Sequence, residues 1–384
     1  MDSDTGTKTL SLGSISLVDA PHFYEEVKTG HHRVAVDYDY KRDELELEKA
    51  FCKNDKWSDE RKSWLQNELL KRKERQESGD QVPVVDIKPT HISVQNFIQT
   101  DLLSCFIEQI DKRIPSLMDG QTIVRQKVLF ASFHKKAPKV LSVPALSGWV
   151  DVVCSYPHAE KRLNDAIIAM ADPNSNNIQL MLPIGDAGNA TVHYIKARLS
   201  PLARCLFPPE FDDFSVQQHL SGDRTQPDFY LPILPMVLVN GAFGLAPGWQ
   251  CKIKQHSPRV IIEKTKSRIS GNDDLLKLTP WLKGTAMSED GQVFAVKMPN
   301  GMVQTFVSAE ALYDAWYETR LSFLCIDSTE QKVKEKWLEQ LDALESKLHD
   351  KKQKHQQQDN EQHHQQDDEH QQQQLRNPNV VLFP

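Results

Sequence analysis

The sequence lacks the features that mark a membrane-spanning, secreted or zinc-binding protein. Its 384 residues contain no run of eighteen or more apolar residues, which predicts that no helix crosses a membrane. The first twenty residues are polar and acidic, unlike a secretory signal or an Arg-rich transit peptide. The six cysteines are scattered without a Cys-x-x-Cys pair, so neither a disulfide framework nor a zinc site is indicated. These absences predict a cytosolic or nuclear protein with reduced thiols.

The chain also has no overall excess of positive charge, since its formal net charge is -7. Positive charge is nevertheless gathered in the centre, because residues 101–284 carry 21 Lys and Arg against 17 Asp and Glu, a local net charge of +4. A mildly basic centre with acidic flanks permits phosphate binding without establishing it.

The length of the chain suggests two or three folded units. Helical patterns such as "EKRLNDAIIAMA" alternate with extended, proline-punctuated stretches, which favours an α+β protein. Alternating apolar residues predict a strand over residues 34–40, and residues 43–80 are predicted to be helical throughout, with Ser58 as an N-cap. The spacing of Ile195, Leu199 and the leucines after them predicts a helix that begins at Tyr194.

The C-terminal part is predicted to be one long helix over residues 310–350, followed by a Gln/His-rich tail too polar to fold. Trp316, Trp337 and Leu341 are the apolar anchors of this helix. They form either a contact face for a second chain or a surface that packs back on the body.

Eight stretches occur in order between about His31 and about Leu348: "HHRVAVDYDY", "AFCKNDKWSDERKSWL", "IPSLMDG" with "KVLF", "SYPHAE", "LPIGDAG", "HYIKARLSPLARCLFPP", "YLPILPMVLVNGAFGLAPGW" and "ALYDAWYETRLSFL". Together they resemble the DNA-cleavage core of the type IIA DNA topoisomerases, the eukaryotic topoisomerase II branch in particular.

The resemblance implies an α+β fold: a winged-helix-containing breakage-reunion core with a shortened tower region and a C-terminal coiled-coil arm. The implied domains are a flexible N-terminus (1–30), a Toprim-exit strand, helix and linker (31–90), a winged-helix DNA-cleavage-like domain (91–210), a shortened tower-like α/β region (211–308), a coiled-coil helix (309–350) and a disordered Gln/His-rich tail (351–384).

By the same resemblance, Tyr194 occupies the position of the nucleophile that attacks a DNA phosphodiester, whereas a tyrosine at a helix start is otherwise a packing residue. Ile184 matches the family's isoleucine that wedges between bases and bends DNA. The remaining site residues would lie beside the nucleophile or along the duplex, or else carry ordinary solvated charge: Arg125, Lys127, His158, His193, Lys196 and Arg198.

The sequence departs from the family where positive charge matters. His193 stands where the family has arginine. A guanidinium that binds phosphate through two hydrogen bonds is thus replaced by an imidazole whose charge depends on pH. At the position of the family's key arginine in the "IPSLMDG" segment, this chain has Gln126, and Arg125 lies one residue earlier. His158 follows a proline where the family has paired histidines, and the loop before His193 is shortened.

The resemblance also implies parts that the sequence does not supply. No Toprim metal-binding glutamate and Asp-x-Asp pair precedes residue 30, and no Gly-rich ATP-binding module occurs. Mg2+ is therefore expected only if a partner's Toprim domain supplies it. The expected partners are duplex DNA and either a second copy or an intact topoisomerase II chain, with no membrane. The expected location is the nucleus, or the cytoplasm for a viral or prokaryotic chain.

Two functions follow from the resemblance. The first is a breakage-reunion module that performs tyrosyl-DNA transesterification with ATPase and Toprim parts from other chains. The second is a catalytically inactive paralogue that binds bent duplex DNA or dimerises with intact topoisomerase II. Enzyme activity of the lone chain is left open, and a decaying gene copy with no selected role is the third possibility.

Overall fold

The computed structural model describes residues 20–29, 35–78, 91–134, 139–154, 156, 160–184, 195–214, 217–219, 225–272, 276–326 and 328–350. A π-helical segment spans Ile98–Leu102, and a 3₁₀ helix spans Pro209–Phe214. The α-helices are α1 (Ala20–Lys28), α2 (Tyr40–Phe51), α3 (Asp55–Ser78), α4 (Val94–Phe97), α5 (Leu103–Arg113), α6 (Ile123–Phe133), α7 (Val143–Cys154), α8 (Glu160–Ala171), α9 (Ala203–Leu206), α10 (Met236–Val239), α11 (Pro258–Ile269), α12 (Ala309–Leu324) and α13 (330–350).

The strands are short and form small separate sheets. They are β1 (Ala35–Asp37), β2 (His91–Ser93), β3 (Leu141–Ser142), β4 (Met181–Ile184), β5 (Lys196–Leu199), β6 (Gln217–His219), β7 (Thr225–Pro227), β8 (Ala242–Ala246), β9 (Trp249–Ile253), β10 (Trp281–Leu282), β11 (Thr285–Ala286), β12 (Phe294–Lys297) and β13 (Val303–Phe306). Strands β3, β5 and β4 form an antiparallel sheet in that order, β1 pairs with β2 in parallel, and the other described pairs are antiparallel hairpins. This mixture confirms the predicted α+β class.

The order α6, β3, α7, α8, β4, β5 is that of a winged helix, with three helices packed on one another and a small antiparallel sheet. The helices form because their apolar residues recur every three or four positions, as in Leu163, Ile167 and Met170 of α8, all of them buried. The helix predicted for "EKRLNDAIIAMA" is confirmed, since this stretch forms α8. The sheet carries the stretch that follows Tyr194.

The stretch after Tyr194 is a strand and not the start of the predicted long helix. Lys196 and Arg198 are exposed while Ala197 between them is 2% exposed, which is the period of two that a strand imposes. Helix begins only at Ala203, in the single turn of α9. The prediction was wrong because leucines from two successive elements happened to fall at helical spacing.

The helix predicted over residues 43–80 is broken into α2 and α3. Asn54, in the break, accepts a 3.0 Å hydrogen bond at its Oδ1 atom from the backbone N–H of Trp57, and this bond starts α3. The N-cap was therefore placed too late at Ser58, which lies inside the helix. The strand predicted over residues 34–40 is also shorter, because β1 ends at Asp37 and α2 begins at Tyr40.

Helix α1 lies within the N-terminal segment that was predicted to be flexible up to residue 30, whereas residues 1–19 lie outside the described residues. Lys28 in the last turn and its ion pair with Glu25 favour this helix. The predicted tail over residues 351–384 lies wholly outside the described residues.

The tryptophans of the C-terminal helices pack back on the body. Trp316 in α12 and Trp337 in α13 are at most 1% exposed, and their rings lie 5.8 Å apart. Each indole N–H donates a 3.0 Å hydrogen bond to a carbonyl of the body, Trp316 to Met118 and Trp337 to Ile233. The helix predicted over residues 310–350 is interrupted between α12 and α13, and this bend lets both tryptophans enter one core.

Candidate nucleic-acid interface

The sheet β3-β5-β4 brings three of the predicted DNA-contacting residues onto one face. In the antiparallel register, Ile184 lies opposite Lys196 and Leu182 lies opposite Arg198. Residues directly opposite one another in antiparallel strands project to the same side. Lys196 and Arg198 are exposed and Ile184 is half-buried, so this face presents two cations beside one apolar side chain.

The positions predicted to act in catalysis, His158, His193 and Tyr194, lie outside the described residues. The described chain resumes at Ile195, whose carbonyl accepts a 2.9 Å hydrogen bond from the backbone N–H of Val143, at the start of α7. Strand β5 is thus attached to the helical part of the winged helix at the residue that follows Tyr194.

Asp119 forms a buried polar centre at the foot of α6. Its carboxylate accepts hydrogen bonds from the backbone N–H groups of Gln121 and Tyr230, both at 2.9 Å, and from Nε2 of Gln126 at 2.8 Å. Burial raises the pKa of Asp119 to about 6, although these bonds and the charge of Lys297 oppose the shift. Gln126, where the resemblance implies a DNA-facing arginine, is therefore a buried structural residue.

Arg125 lines a cavity of about 840 Å³ between α5, α6 and the hairpin β8–β9. The described residues that line this basic groove include five cations and no Asp or Glu: Lys112, Arg113, Arg125, Lys252 and Lys254. Burial lowers the pKa of the Arg125 guanidinium, whose charge would be stabilised by an anion in the groove. The groove's described lining includes neither Lys127 nor any residue of β4 or β5, so the predicted cations fall on separate surfaces.

Lys127 is half-buried inside the helical bundle. Burial lowers the pKa of its ammonium group, and the Sγ atom of Cys154 lies 3.6 Å from its backbone carbonyl. Lys127 thus faces the end of α7 and not the basic groove.

The rim of the basic groove carries two exposed apolar side chains that motif matching did not identify. Phe243 is 72% and Leu245 57% exposed, while Gly244 between them is buried. A Cβ atom at Gly244 would lie 2.1 Å from the carbonyl oxygen of Arg113, so only glycine allows the strand to lie on the end of α5. A hydrogen bond of 3.1 Å from Arg113 to the carbonyl of Leu245 also holds the hairpin. The alternation in "AFGLA" was the available signal.

The carboxylates of "DYDY" do not form a metal site. Asp37 lies 3.5 Å from the ring of His91, and Asp39 is the N-cap of α2, accepting a hydrogen bond from the N–H of Arg42. Within the described ranges, no group of three or more His, Cys, Asp or Glu side chains is arranged to hold a metal ion. These residues therefore do not fit the Mg2+ site of a Toprim domain.

None of the helices that the structure describes is both long enough and apolar enough to span a bilayer.

Residues 112–365 match the family model for the A-type subunit of DNA gyrase/topoisomerase IV. The chain belongs to this family. Human DNA topoisomerase 2-alpha is 33% identical over 287 residues, which cover 71% of this chain and 18% of that protein. DNA topoisomerase 2 of Arabidopsis thaliana is 30% identical over 302 residues, covering 74% and 19%. The chain thus spans less than a fifth of the length of these topoisomerases.

A solved structure shows the same type IIA fold. The Plasmodium falciparum topoisomerase II DNA-binding, cleavage and re-ligation domain superposes with a TM-score of 0.61 over 79% of this chain and 54% of that one, at 20% identity. The resemblance inferred from short motifs is therefore confirmed for the family and for the fold.

Proposed function

We propose that this protein is a DNA-binding breakage-reunion module of the type II topoisomerases, with Tyr194 as its nucleophile. The observation that carries this proposal is the winged helix whose strand β5 begins two residues after Tyr194, inside the stretch that matches the family. Lys196 and Arg198, which are exposed on β5, would contact phosphates next to that tyrosine.

The proposed reaction is a transesterification. The Tyr194 oxygen bonds to a backbone phosphorus, and the bond from that phosphorus to the deoxyribose 3' oxygen breaks. The 3' oxygen takes up a proton and leaves as a hydroxyl, and a 5'-phosphotyrosyl link results. Since a tyrosine pKa is near 10, the phenol needs a base and neighbouring cations. His193 and His158 would accept or hold the proton, and Lys196 and Arg198 would neutralise phosphate oxygens.

The proposed duplex path crosses the basic groove. Its cations other than Lys112, which pairs with Glu108, would displace counterions from phosphates, which makes binding dependent on salt. The exposed side chains of Phe243 and Leu245 are suited to enter a base step and bend the duplex, a role for which Ile184 remains the second candidate.

The module would act as part of an assembly. ATP hydrolysis and Mg2+ would come with the ATPase and Toprim parts of another chain, and the module would pair with a second copy or with a topoisomerase II chain. The nucleus is its proposed location, as for the DNA of eukaryotic cells.

Trapping the covalent intermediate tests this proposal. The chain is mixed with supercoiled plasmid, Mg2+ and a chain that carries the ATPase and Toprim parts of a type II topoisomerase, and denaturant is added. Protein-linked DNA is expected with the wild type and with the control Tyr24→Phe, and none with Tyr194→Phe. Absence of linked DNA with every supplement would remove the enzymatic function.

A second function, an inactive paralogue that binds bent duplex DNA or pairs with intact topoisomerase II, is favoured by the Asp119–Gln126 contact. A neutral, buried amide stands here where the resemblance implies a cation. This function predicts that wild type and Tyr194→Phe bind and bend a duplex equally, with no linked DNA from either. Loss of binding in Tyr194→Phe would argue against it.

A further inference from the structure

A small apolar cavity lies between the 3₁₀ helix, the end of α12 and α13. Its volume is about 180 Å³, and its apolar walls are the side chains of Phe211, Leu324, Val333 and Trp337. An apolar cavity of about 150 Å³ is large enough to bind a benzene ring. This cavity therefore has room for one aromatic side chain.

The aromatic wall of the cavity is held in place from behind. The Trp337 ring stacks on the Tyr317 ring with 5.2 Å between centroids, and the guanidinium carbon of Arg320 lies 3.9 Å from the Trp337 centroid. The Trp337 indole N–H also donates its hydrogen bond to Ile233. These contacts fix the ring, so the cavity is a preformed site that a ligand can enter without rearranging the core.

Gln340, at the rim of the cavity, has an acceptor without a donor. Its Nε2 atom donates a 2.8 Å hydrogen bond to Glu210, which also pairs with Lys336 at 3.1 Å. Its Oε1 atom is buried and has no hydrogen-bond partner among the described residues. A buried acceptor left unpaired is unfavourable, and a peptide N–H would satisfy it. An apolar cavity beside a free acceptor suits a peptide that carries an apolar side chain.

The sequence contains such a peptide beyond α13. Residues 380–383, Val-Val-Leu-Phe, form an uninterrupted apolar run, whereas Leu375 is the only large apolar residue in the Gln/His-rich stretch 351–379 before them. These residues lie outside the described ranges. Four consecutive apolar residues next to a polar tract are unfavourable in water unless they bind a surface.

The intervening stretch is long enough to bring this run to the cavity. Gln340 lies about 15 Å from Asp350 along α13, given a rise of about 1.5 Å per residue. A random-coil chain as long as residues 351–379 has a root-mean-square end-to-end distance of about 30 Å. The cavity is within that reach, and a linker of this kind gives an effective concentration of millimolar order. A weak intrinsic affinity is then enough to fill the cavity.

We propose that the apolar run 380–383 docks in the cavity on α13 of the same chain. The Phe383 ring enters between Phe211 and Trp337, and a backbone N–H of the run donates to Oε1 of Gln340. Ile326, which is 67% exposed and lies two residues beyond Leu324, extends the apolar surface for the neighbouring side chains. The Gln/His-rich stretch then forms a closed loop beside α13. This contact does not depend on the proposed DNA cleavage.

The test compares methyl NMR spectra of the full chain and of two tail variants. The docking variant is Leu382→Asp with Phe383→Asp. The control, Gln372→Asp with Gln373→Asp, adds the same charge to the same stretch and removes no apolar side chain. The methyl groups of Val333 and Leu324 report on the cavity, and those of exposed Val307 report on a surface that does not line it.

The Val333 and Leu324 signals should move in the docking variant, because the Phe383 ring no longer shifts them, and should stay in place in the control. The Val307 signals should stay in place in both. Unchanged Val333 and Leu324 signals in the docking variant would overturn the proposal. So would signals that move on dilution of the wild type while light scattering shows a dimer dissociating, because the occupant would then be the tail of a second copy.

A synthetic peptide of residues 377–384 tests the cavity itself. Added to the docking variant, it should bind one to one in titration calorimetry and return the Val333 and Leu324 signals to their wild-type positions. In the same background, Val333→Phe places a ring in the cavity and should weaken peptide binding at least about tenfold, whereas Val307→Phe should leave it unchanged. No binding of the peptide, or equal binding to both of these variants, would contradict docking at this site.

Discussion

Gln126 donates a 2.8 Å hydrogen bond to the buried carboxylate of Asp119. A neutral donor thus holds an ionisable group in the core, and burial raises the pKa of that group to about 6. Folded Asp119 therefore binds its proton more tightly than unfolded Asp119. Its contribution to stability is greatest below the unfolded pKa, near 4, and declines as the pH rises to about 6.

Replacing Gln126 with methionine should cost more stability at pH 7.5 than at pH 5. At the higher pH an ionised carboxylate loses a hydrogen bond worth about 2 kcal/mol, and at the lower pH a protonated one loses about 1 kcal/mol. Urea unfolding at both pH values measures the difference. Burial lowers the pKa of His256, but His256 is present in both proteins and its effect cancels. Equal losses at the two pH values would contradict the assignment, and exposed Gln250→Met is the control.

Arg125→Gln should weaken duplex binding and make it less sensitive to salt. Arg125 lines the basic groove without an acidic neighbour in the described lining, so a phosphate there would release about one counterion. Fluorescence anisotropy at several salt concentrations gives the slope of the logarithm of the binding constant against the logarithm of the salt concentration. This slope should be smaller by about one in the variant. A slope equal to that of the wild type would show that the duplex does not contact Arg125 in the basic groove. Lys332→Gln, on α13, is the matched control and should leave the slope unchanged.

Phe243→Ala and Leu245→Ala should reduce DNA bending and leave the fold intact. Both side chains are more than half exposed, so their removal should change the free energy of unfolding by less than about 0.5 kcal/mol. Energy transfer between dyes at the two ends of a short duplex measures the bend. Val307→Ala removes an apolar side chain that is still more exposed, and this change should have no effect on bending. If the variant with both substitutions bends the duplex as the wild type does, Ile184 becomes the candidate for the side chain that enters the base step.

Asn177→Asp should destabilise the fold by at least about 2 kcal/mol. The Asn177 Nδ2 atom lies 3.0, 3.0 and 2.9 Å from the carbonyl oxygens of Val239, His256 and Trp281. A carboxylate at this point would face three acceptors. The change in thermal midpoint measures the cost, and exposed Asn174→Asp should leave the midpoint nearly unaltered. If neither change lowers the thermal midpoint, the hydrogen bonds of Asn177 to the three carbonyl groups contribute little to the stability of the fold.

Local patterns predicted which stretches are helical, but they missed the breaks within the long helices and the strands that contacts distant in sequence define. The helix over Glu160–Ala171 was predicted because three buried residues repeat at one helical face. Strand β5 was not, since its partners β3 and β4 define it and its leucines imitate a helix. Motifs placed Lys196 and Arg198 on the surface, as the fold does. They also matched Gln126 to the position of the family's key arginine, and spacing could not reveal that Gln126 is buried against Asp119.

The most direct test of the account is to map the peptide that carries DNA after trapping. The wild type, mixed with plasmid, Mg2+ and an ATPase–Toprim chain, is denatured and digested with nuclease and protease, and the nucleotide-linked peptide is sequenced by mass spectrometry. We predict a nucleotide 5'-phosphate on Tyr194, and none on Tyr156 or Tyr230, which are buried. A nucleotide on another residue, or no linked peptide although the duplex is bound, would contradict it.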